Sequence, residues 1–292
     1  MKKKIRNTAK YNRFSVFDAV NYGIMTLMMV AILIPFIHMI AVSLSDNFYT
    51  VRNQVGLWPK GFTLQTYIDV FKNGDFIRAY GNTIFYTVTH TTLAVAVTAM
   101  GAYALARRKL VGHKLFSVMI TFTMFFHGGI IPTYILIRDL QMIDTVWAMI
   151  IPGIIGTFNL IILRSFFVAY PQEIVESGQL DGLQESGVFF RLVLPTSKAA
   201  LSTIALYYGV AKWNSYIDAR LYLRDEAFYP LQHFLQQLLA DIDVNGGGDD
   251  AALVPAAVRY ASIMIATAPI MCVYPFIQKY FVKGVMVGSI KG

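Results

Sequence analysis

The sequence predicts an all-α, polytopic membrane protein with six transmembrane helices and both termini in the cytoplasm. Three observations carry that reading. The 292 residues are 56% hydrophobic and only 14% charged, where a soluble domain carries about 25% charged residues, and the mean hydropathy is +0.52. The apolar residues gather into runs of about 20, the length a helix needs to cross a bilayer. The basic residues cluster on alternate sides of those runs.

The predicted spans cover about 19–43, 83–106, 115–137, 145–168, 199–223 and 260–281. The first has a basic start, MKKKIR, and a small-x-small triplet at Ala41-Val42-Ser43, like a signal peptide. Its apolar run exceeds the roughly 7–15 residues of a signal core, so it is read as a retained anchor. Six crossings place both termini on one side. That side holds Lys2, Lys3, Lys4, Arg6, Lys10 and Arg13, then Arg107, Arg108, Lys109 and Lys114. It also holds Arg164, Arg191, Lys198, Lys279, Lys283 and Lys291, giving 16 of the 25 basic residues. The excess of Lys and Arg makes it the cytoplasmic face, and the net charge of +8 becomes a topology signal instead of a nucleic-acid signal. The outer loops are then about 44–82, 138–144 and 224–259. The chain divides into a cytoplasmic arm (1–18), a first helix with its outer loop (19–78), a core of five helices (79–282) and a cytoplasmic tail (283–292). A cytoplasmic loop at 169–198 interrupts the core.

Several chemistries are excluded. The single Cys272 allows no internal disulfide, and the five histidines are scattered. No HExxH is present and Gly-Lys never occurs, so neither that metal motif nor a P-loop exists. No nucleophile–base pattern supports an intramembrane enzyme. An ion-coupled secondary transporter of a small polar solute is the alternative reading. It wants paired intramembrane carboxylates or a visible repeat, and the spans offer mainly Lys212.

The polar loop between spans four and five is patterned. Pro171 stops span four, and QEIVESGQL reads as a short helix with Ile174, Val175 and Leu180 available for a buried side. Asp181-Gly182 breaks it. Asp181 is expected to cap a second helix, GLQESGVFFRLVL, with Gln184 close to a capping box. Phe189, Phe190, Val193 and Leu194 form its apolar stripe, and Pro195 ends it. The loop presents Glu173, Glu176, Asp181 and Glu185, which anionic headgroups repel, so its outer side favours a protein partner over lipid.

The stretch EIVESGQLDGLQESGVFFRLVLP resembles the EAA loop of ABC importer permeases. Glu176, Asp181, Gly182 and Pro195 match that pattern, while Ser177 and Gly178 stand where two alanines are common and Leu183 where a small residue is common. The Asp before the Gly, with YALARRKLVG, WNSYIDARLYL and KYFVKGVMVGSIKG, is similar to the carbohydrate-importer branch of the smaller maltose permease. The resemblance runs from about Asn82 to the end. It implies a type I importer permease in a bacterial cytoplasmic (inner) membrane, with no cofactor on this chain. Its implied partners are a second permease, two ATP-binding cassette subunits that carry ATP and Mg, and an extracytoplasmic sugar-binding protein. It implies that Glu176 contacts an ATP-binding subunit, with Ser177, Gly178, Asp181, Gly182, Glu185 and Pro195 forming the rest of the coupling element. Asp181 and Glu185 also read as a cap and a solvated residue.

Polar groups inside the bilayer are expensive and therefore candidates for the substrate path. Lys212, Trp213, Asn214 and Tyr216 in span five combine aromatic faces with hydrogen-bonding groups. Lys212 has no obvious acidic partner in the spans. Asn159 in span four and Asn82 at the start of span two are weaker candidates, and Asn214 also reads as a helix–helix hydrogen bond. Lys212 with Arg220 and Arg224 suits an acidic oligosaccharide, as in the smaller permease of an alginate importer. A neutral oligosaccharide and interface-anchoring arginines are the other readings. Gly128-Gly129, Pro132, Pro152, Gly153, Gly156, Pro269 and Pro275 predict kinks. Asn245, Gly246, Gly247, Gly248, Asp249 and Asp250 make a flexible outer tip. By resemblance that tip reaches toward the binding protein; on flexibility alone it reads equally as a connector.

Overall fold

The computed structural model describes residues 16–107, 110–245 and 255–289, with backbone alone at 241–245 and 274–289. The described residues form helices and no strand. In chain order these are α1 (Val16–Ser43), α2 (Asn47–Val51), α3 (Gln65–Lys72), α4 (Gly74–Ala106), α5 (His113–Phe125), α6 (Ile130–Asp139), α7 (Trp147–Ile150) and α8 (Thr157–Val168). Then come α9 (Gln172–Leu180), α10 (Glu185–Val188), a π-helical turn over Phe189–Val193 and α11 (Leu194–Thr196). The chain continues through α12 (Lys198–Trp213), α13 (Ile217–Tyr222), α14 (Leu231–Asn245) and α15 (Ala256–Ser289). It divides into two compact units, one of 1–70 with 254–264, the other of 71–253 with 265–292.

In the first unit, α1 is apolar on every side and buries only Ala41, Val42 and Ser43 at its end. A helix apolar all round suits lipid. Ser43 Oγ lies 2.9 Å from Tyr67 Oη, and Asp46 caps α2 by accepting the Phe48 N–H at 2.8 Å. Tyr49 and Tyr260 pack on Ala41, Val42 and Val55.

The second unit is built on α4. Asn73 caps it by accepting the Asp75 and Phe76 N–H groups, both at 3.0 Å. Ala94, Ala99 and Ala102 are completely buried along one stripe, and such small residues let membrane helices approach closely. Leu160, Leu163 and Phe167 of α8, with Ile204 and Tyr208 of α12, pack onto that stripe. Val175, Val188, Phe189 and Val193 join the same core, so the polar loop is anchored to the bundle.

Three predicted spans are broken. Span three is α5 and α6, bent by 114° at Gly128-Gly129. Span four contains a non-helical stretch at 151–156, with Pro152, Gly153 and Gly156, which leaves α8 only 12 residues. Span five stops at Trp213, and residues 214–216 turn the chain before α13. Among the described residues, three helices are long and apolar enough to cross a membrane, or up to five if each bent pair is one span. A hydropathy window averages over a break, because Gly and Pro are compatible with membrane segments. α15 runs as one helix through Pro269 and Pro275. The outer loop expected over 224–259 instead contains α14 and the start of α15.

Candidate functional site

The loop at 169–198 is a helical hairpin. α9 buries Val175 and Gly178 and exposes Glu173, Ile174, Glu176, Ser177 and Leu180. Asp181 differs from its expected role: it is the C-cap of α9, its N–H bonded to the Gln179 and Ser177 carbonyls. Gln184 instead precedes α10, with no side-chain cap bond. Pro195 does not end the second helix, which runs to Thr196. The break comes at Ser197, where the segment Glu185–Thr196 meets α12 at 81°. Of the expected stripe, Phe189 and Val193 are buried while Phe190 is 56% exposed.

Two glycines set the hairpin's shape. Gly182 takes φ +83°, a left-handed turn that costs other residues roughly 1–2 kcal/mol. Gly178 is a point of close approach: a Cβ there would lie 2.5 Å from Leu192 Cδ1. Leu192 occupies the space that a methyl at this position would need. Glu185 is not a free surface carboxylate. It accepts the Tyr103 hydroxyl at 2.9 Å and the Gln179 amide at 2.9 Å, and Arg107 Nε lies 3.5 Å away.

The expected path residues separate. Lys212 is buried and its ammonium lies 3.5 Å from Asp218, which corrects the expectation that it has no acidic partner. The break at 214–216 turns the chain so that a residue six positions on returns to it. Trp213 donates its indole N–H to the Ala266 carbonyl at 3.2 Å and meets Tyr80 edge-on. It lines a 440 Å³ cavity with Thr87, Leu206, Gly209, Pro269 and Val273, whose walls offer a sugar few hydrogen bonds. Asn214 is exposed and bonds back to the Val210 carbonyl at 2.9 Å. Tyr216 accepts a bond from Arg220 Nη1 at 3.2 Å and lies parallel to His233. Asn159 is half-buried in α8, beyond Gly156. Asn82 donates both amide bonds to the carbonyls of Ala227 and Tyr229, at 2.8 and 3.1 Å.

Sequence reasoning missed Tyr208. Its hydroxyl lies 2.7 Å from Thr98 Oγ1 and accepts the Gly156 N–H at 2.8 Å, joining α4 and α12 at the break before α8. Beside it His90 Nδ1 lies 2.7 Å from the Ile150 carbonyl. The one legible hint was the Tyr208 hydroxyl set in an apolar run. Tyr208→Phe is expected to destabilise the purified protein by about 1–3 kcal/mol, because it takes the partner from the buried Thr98 hydroxyl and from the part-buried Gly156 N–H. In thermal unfolding, adding Thr98→Ala should cost little more, as for partners in one network.

Where the loops around 144 and 224 meet, Asp144 Oδ1 accepts the N–H groups of Arg224 and Asp225, both at 2.9 Å. Tyr86 donates to the Phe228 carbonyl at 3.0 Å, and Thr83 accepts the Leu231 N–H at 2.7 Å. The two N–H groups hold the Asp144 carboxyl below the usual carboxylate range. An acid whose pKa is lower folded than unfolded contributes stability above its unfolded value, near 3.9, and loses it as pH falls through the folded value. The stability difference between the natural protein and Asp144→Ala is therefore expected to be constant from pH 7 to 5. It should shrink only below about pH 4, as read by thermal melts. Of the expected outer tip, Asn245 ends α14, and Gly246, Gly247, Gly248, Asp249 and Asp250 lie outside the described residues.

No family model matches the chain. Relatives and solved structures decide the family. The chain is 41% identical over 281 residues to protein LplC of Bacillus subtilis strain 168, covering 95% of each. It is 37% identical over 282 residues to the polygalacturonan/rhamnogalacturonan transport system permease protein YtcP of the same strain, covering 95% of this chain and 99% of the relative. A chain in the crystal structure of a bacterial ABC transporter involved in the import of the acidic polysaccharide alginate superposes with TM-score 0.86 at 30% identity. The match covers 94% of this chain and 100% of that one. The chain belongs to the sugar ABC transporter permeases. It is an integral membrane transport subunit, and its all-helical fold is that of an importer permease. This carbohydrate permease resembles the alginate importer's chain across nearly its whole length, far beyond the hairpin motif.

Proposed function

We propose that this permease is one of two membrane-spanning subunits of an ATP-driven importer of an acidic oligosaccharide in a bacterial inner membrane. An extracytoplasmic binding protein delivers the sugar. Two ATP-binding cassette subunits, which carry ATP and Mg, drive transport through the α9–α11 hairpin. The chain crosses the membrane six times with broken spans three to five, and both termini are cytoplasmic.

The exposed ridge of α9 carries the coupling reading. Leu180 is 89% and Ile174 is 42% exposed beside Glu173, Glu176 and Asp181. Ile174, Ser177, Leu183 and Leu192 border a cleft of 320 Å³ on this face. Leucine and isoleucine flanked by carboxylates want a protein cover, since headgroups repel the charges and water disfavours the apolar surface. A photo-crosslinking residue at Leu180 should link to an ATP-binding subunit in the assembled complex. Crosslinks to lipid alone would reject the coupling role.

The acidic substrate is supported by Arg220 and Arg224, both exposed at the outer end of the broken fifth span. Neither takes part in the described ion pairs. Among the relatives, the alginate transporter imports an acidic polysaccharide and YtcP is a galacturonan permease. The sugar retained by the purified binding protein tests this reading: an acidic oligosaccharide is expected, and a neutral one would overturn it.

A further inference from the structure

We propose that Tyr103, Arg107 and Glu185 form a latch that transmits movement of the hairpin to α4, so that Glu185 serves this chain's own helix and not the ATP-binding subunit. The proposal rests on the hairpin being the docking element.

Both carboxylate oxygens of Glu185 are engaged within the chain. Oε2 accepts the Tyr103 hydroxyl at 2.9 Å and lies 3.5 Å from Arg107 Nε. Oε1 accepts the Gln179 amide at 2.9 Å. One side chain therefore ties α9, the start of α10 and the cytoplasmic end of α4. Arg107 also donates to the Tyr103 hydroxyl and lies 4.6 Å over its ring. Charge-assisted bonds of this kind are the stronger ones.

The rest of the hairpin reinforces the same point. The π-helical turn at Phe189–Val193 is a rare geometry, frequent at functional sites. It sets Phe189 against the Tyr103 ring at 4.8 Å, with Phe167 of α8 on the ring at 6.1 Å. Tyr103 is thus held by packing as well as by its hydroxyl.

α4 is suited to carry a displacement. It is one unbroken helix of 33 residues. Tyr103 and Asn82 stand 21 positions apart, about 32 Å along the axis. At the far end, Asn82, Thr83 and Tyr86 hold the backbone of residues 227–231. Spans three to five each contain a break; α4 does not. Movement of the hairpin therefore has a stiff route to the outer loop that carries Arg224.

The test uses the complete complex in proteoliposomes, with binding protein and sugar, and reads sugar moved per ATP hydrolysed. Tyr103→Phe keeps the ring packing and removes one hydroxyl, so it folds if any variant does. It is expected to lower that ratio about tenfold, the effect of losing roughly 1.4 kcal/mol of transmitted energy. ATP-binding subunits should still co-purify. Glu185→Gln should lower the ratio similarly, and the double variant should fall no further than the worse single one. The charge swap Arg107→Glu with Glu185→Arg should recover part of the loss. An unchanged ratio in Tyr103→Phe, or single losses that multiply in the double variant, overturns the latch. Failure of the unaltered hairpin to crosslink to the ATP-binding subunit instead overturns the docking reading beneath it.

Discussion

Glu176→Lys is expected to abolish transport while leaving the chain folded and inserted. Glu176 is exposed on α9, two positions before the buried Gly178 and on the ridge that carries Ile174 and Leu180. Charge reversal there disturbs no packed contact in the chain, so surface-substitution costs apply within it, about 0.5 kcal/mol or less. At a protein interface the cost is different in kind. Removing one partner of a buried, hydrogen-bonded charge pair costs about 2–5 kcal/mol, and reversal adds repulsion. Loss of ATP-binding subunits from the purified complex, with normal amounts of the chain in the membrane, is the expected outcome. Normal co-purification with full transport would remove Glu176 from the coupling element.

Asp218→Asn is expected to destabilise the protein more than Lys212→Met. The Lys212 side chain is 6% exposed and that of Asp218 38%, so the two ends of the pair differ in their solvent. Neutralising Asp218 leaves an ammonium in the bundle without its counter-charge. A fully buried pair broken this way costs about 3–5 kcal/mol. The partial exposure of Asp218 discounts that to about 2 kcal/mol. Lys212→Met removes the buried charge itself and leaves only Asp218 unpaired, whose 38% exposed side chain keeps its contact with solvent, so the loss costs less. Thermal melts of the two variants in the same detergent check the order. Once Lys212→Met is shown to fold, its transport rate reports whether the ammonium also reads substrate.

Sequence and structure diverge in physically specific places. The hairpin was legible because its charges interrupt an apolar chain, and Asp181-Gly182 marks a turn whatever surrounds it. Val175, Phe189 and Val193 turn inward as helical spacing demands. The assignment of caps was not legible. Asp181 has the chemistry of an N-cap, but α9 runs long enough for it to close the preceding helix. Asp218 was hidden as the partner of Lys212 because a straight helix separates residues six apart by nearly two turns. Only the break at Asn214–Tyr216 returns it. Tyr208 was hidden because its partners, Thr98 and Gly156, lie 110 and 52 positions away. Asn82 was ambiguous for a related reason: an amide at a helix start suits a ligand or a loop equally, and here its N–H groups go to the loop carbonyls of 227 and 229. Gly178 answers a question the motif raised, since the space beside it is occupied by Leu192.

The glycine substitution also bears on how the hairpin keeps its shape. Leu183, Val188 and Leu192 all stand around Gly178, so these side chains pack directly on the backbone of α9 where it carries no side chain of its own. This leaves α9 free to present Glu173, Glu176 and Leu180 outward while the second arm is fixed on the bundle by Phe189 and Val193. A coupling element needs that division: one face for the partner and one for the chain's own helices.

Uptake by proteoliposomes containing the complete complex, with binding protein outside and nucleotide inside, tests the account most directly. The predicted result is uptake of a uronic-acid oligosaccharide that requires ATP, is competed by other acidic oligosaccharides and is lost with Glu176→Lys. Uptake that proceeds without ATP and follows an imposed proton or sodium gradient would contradict it.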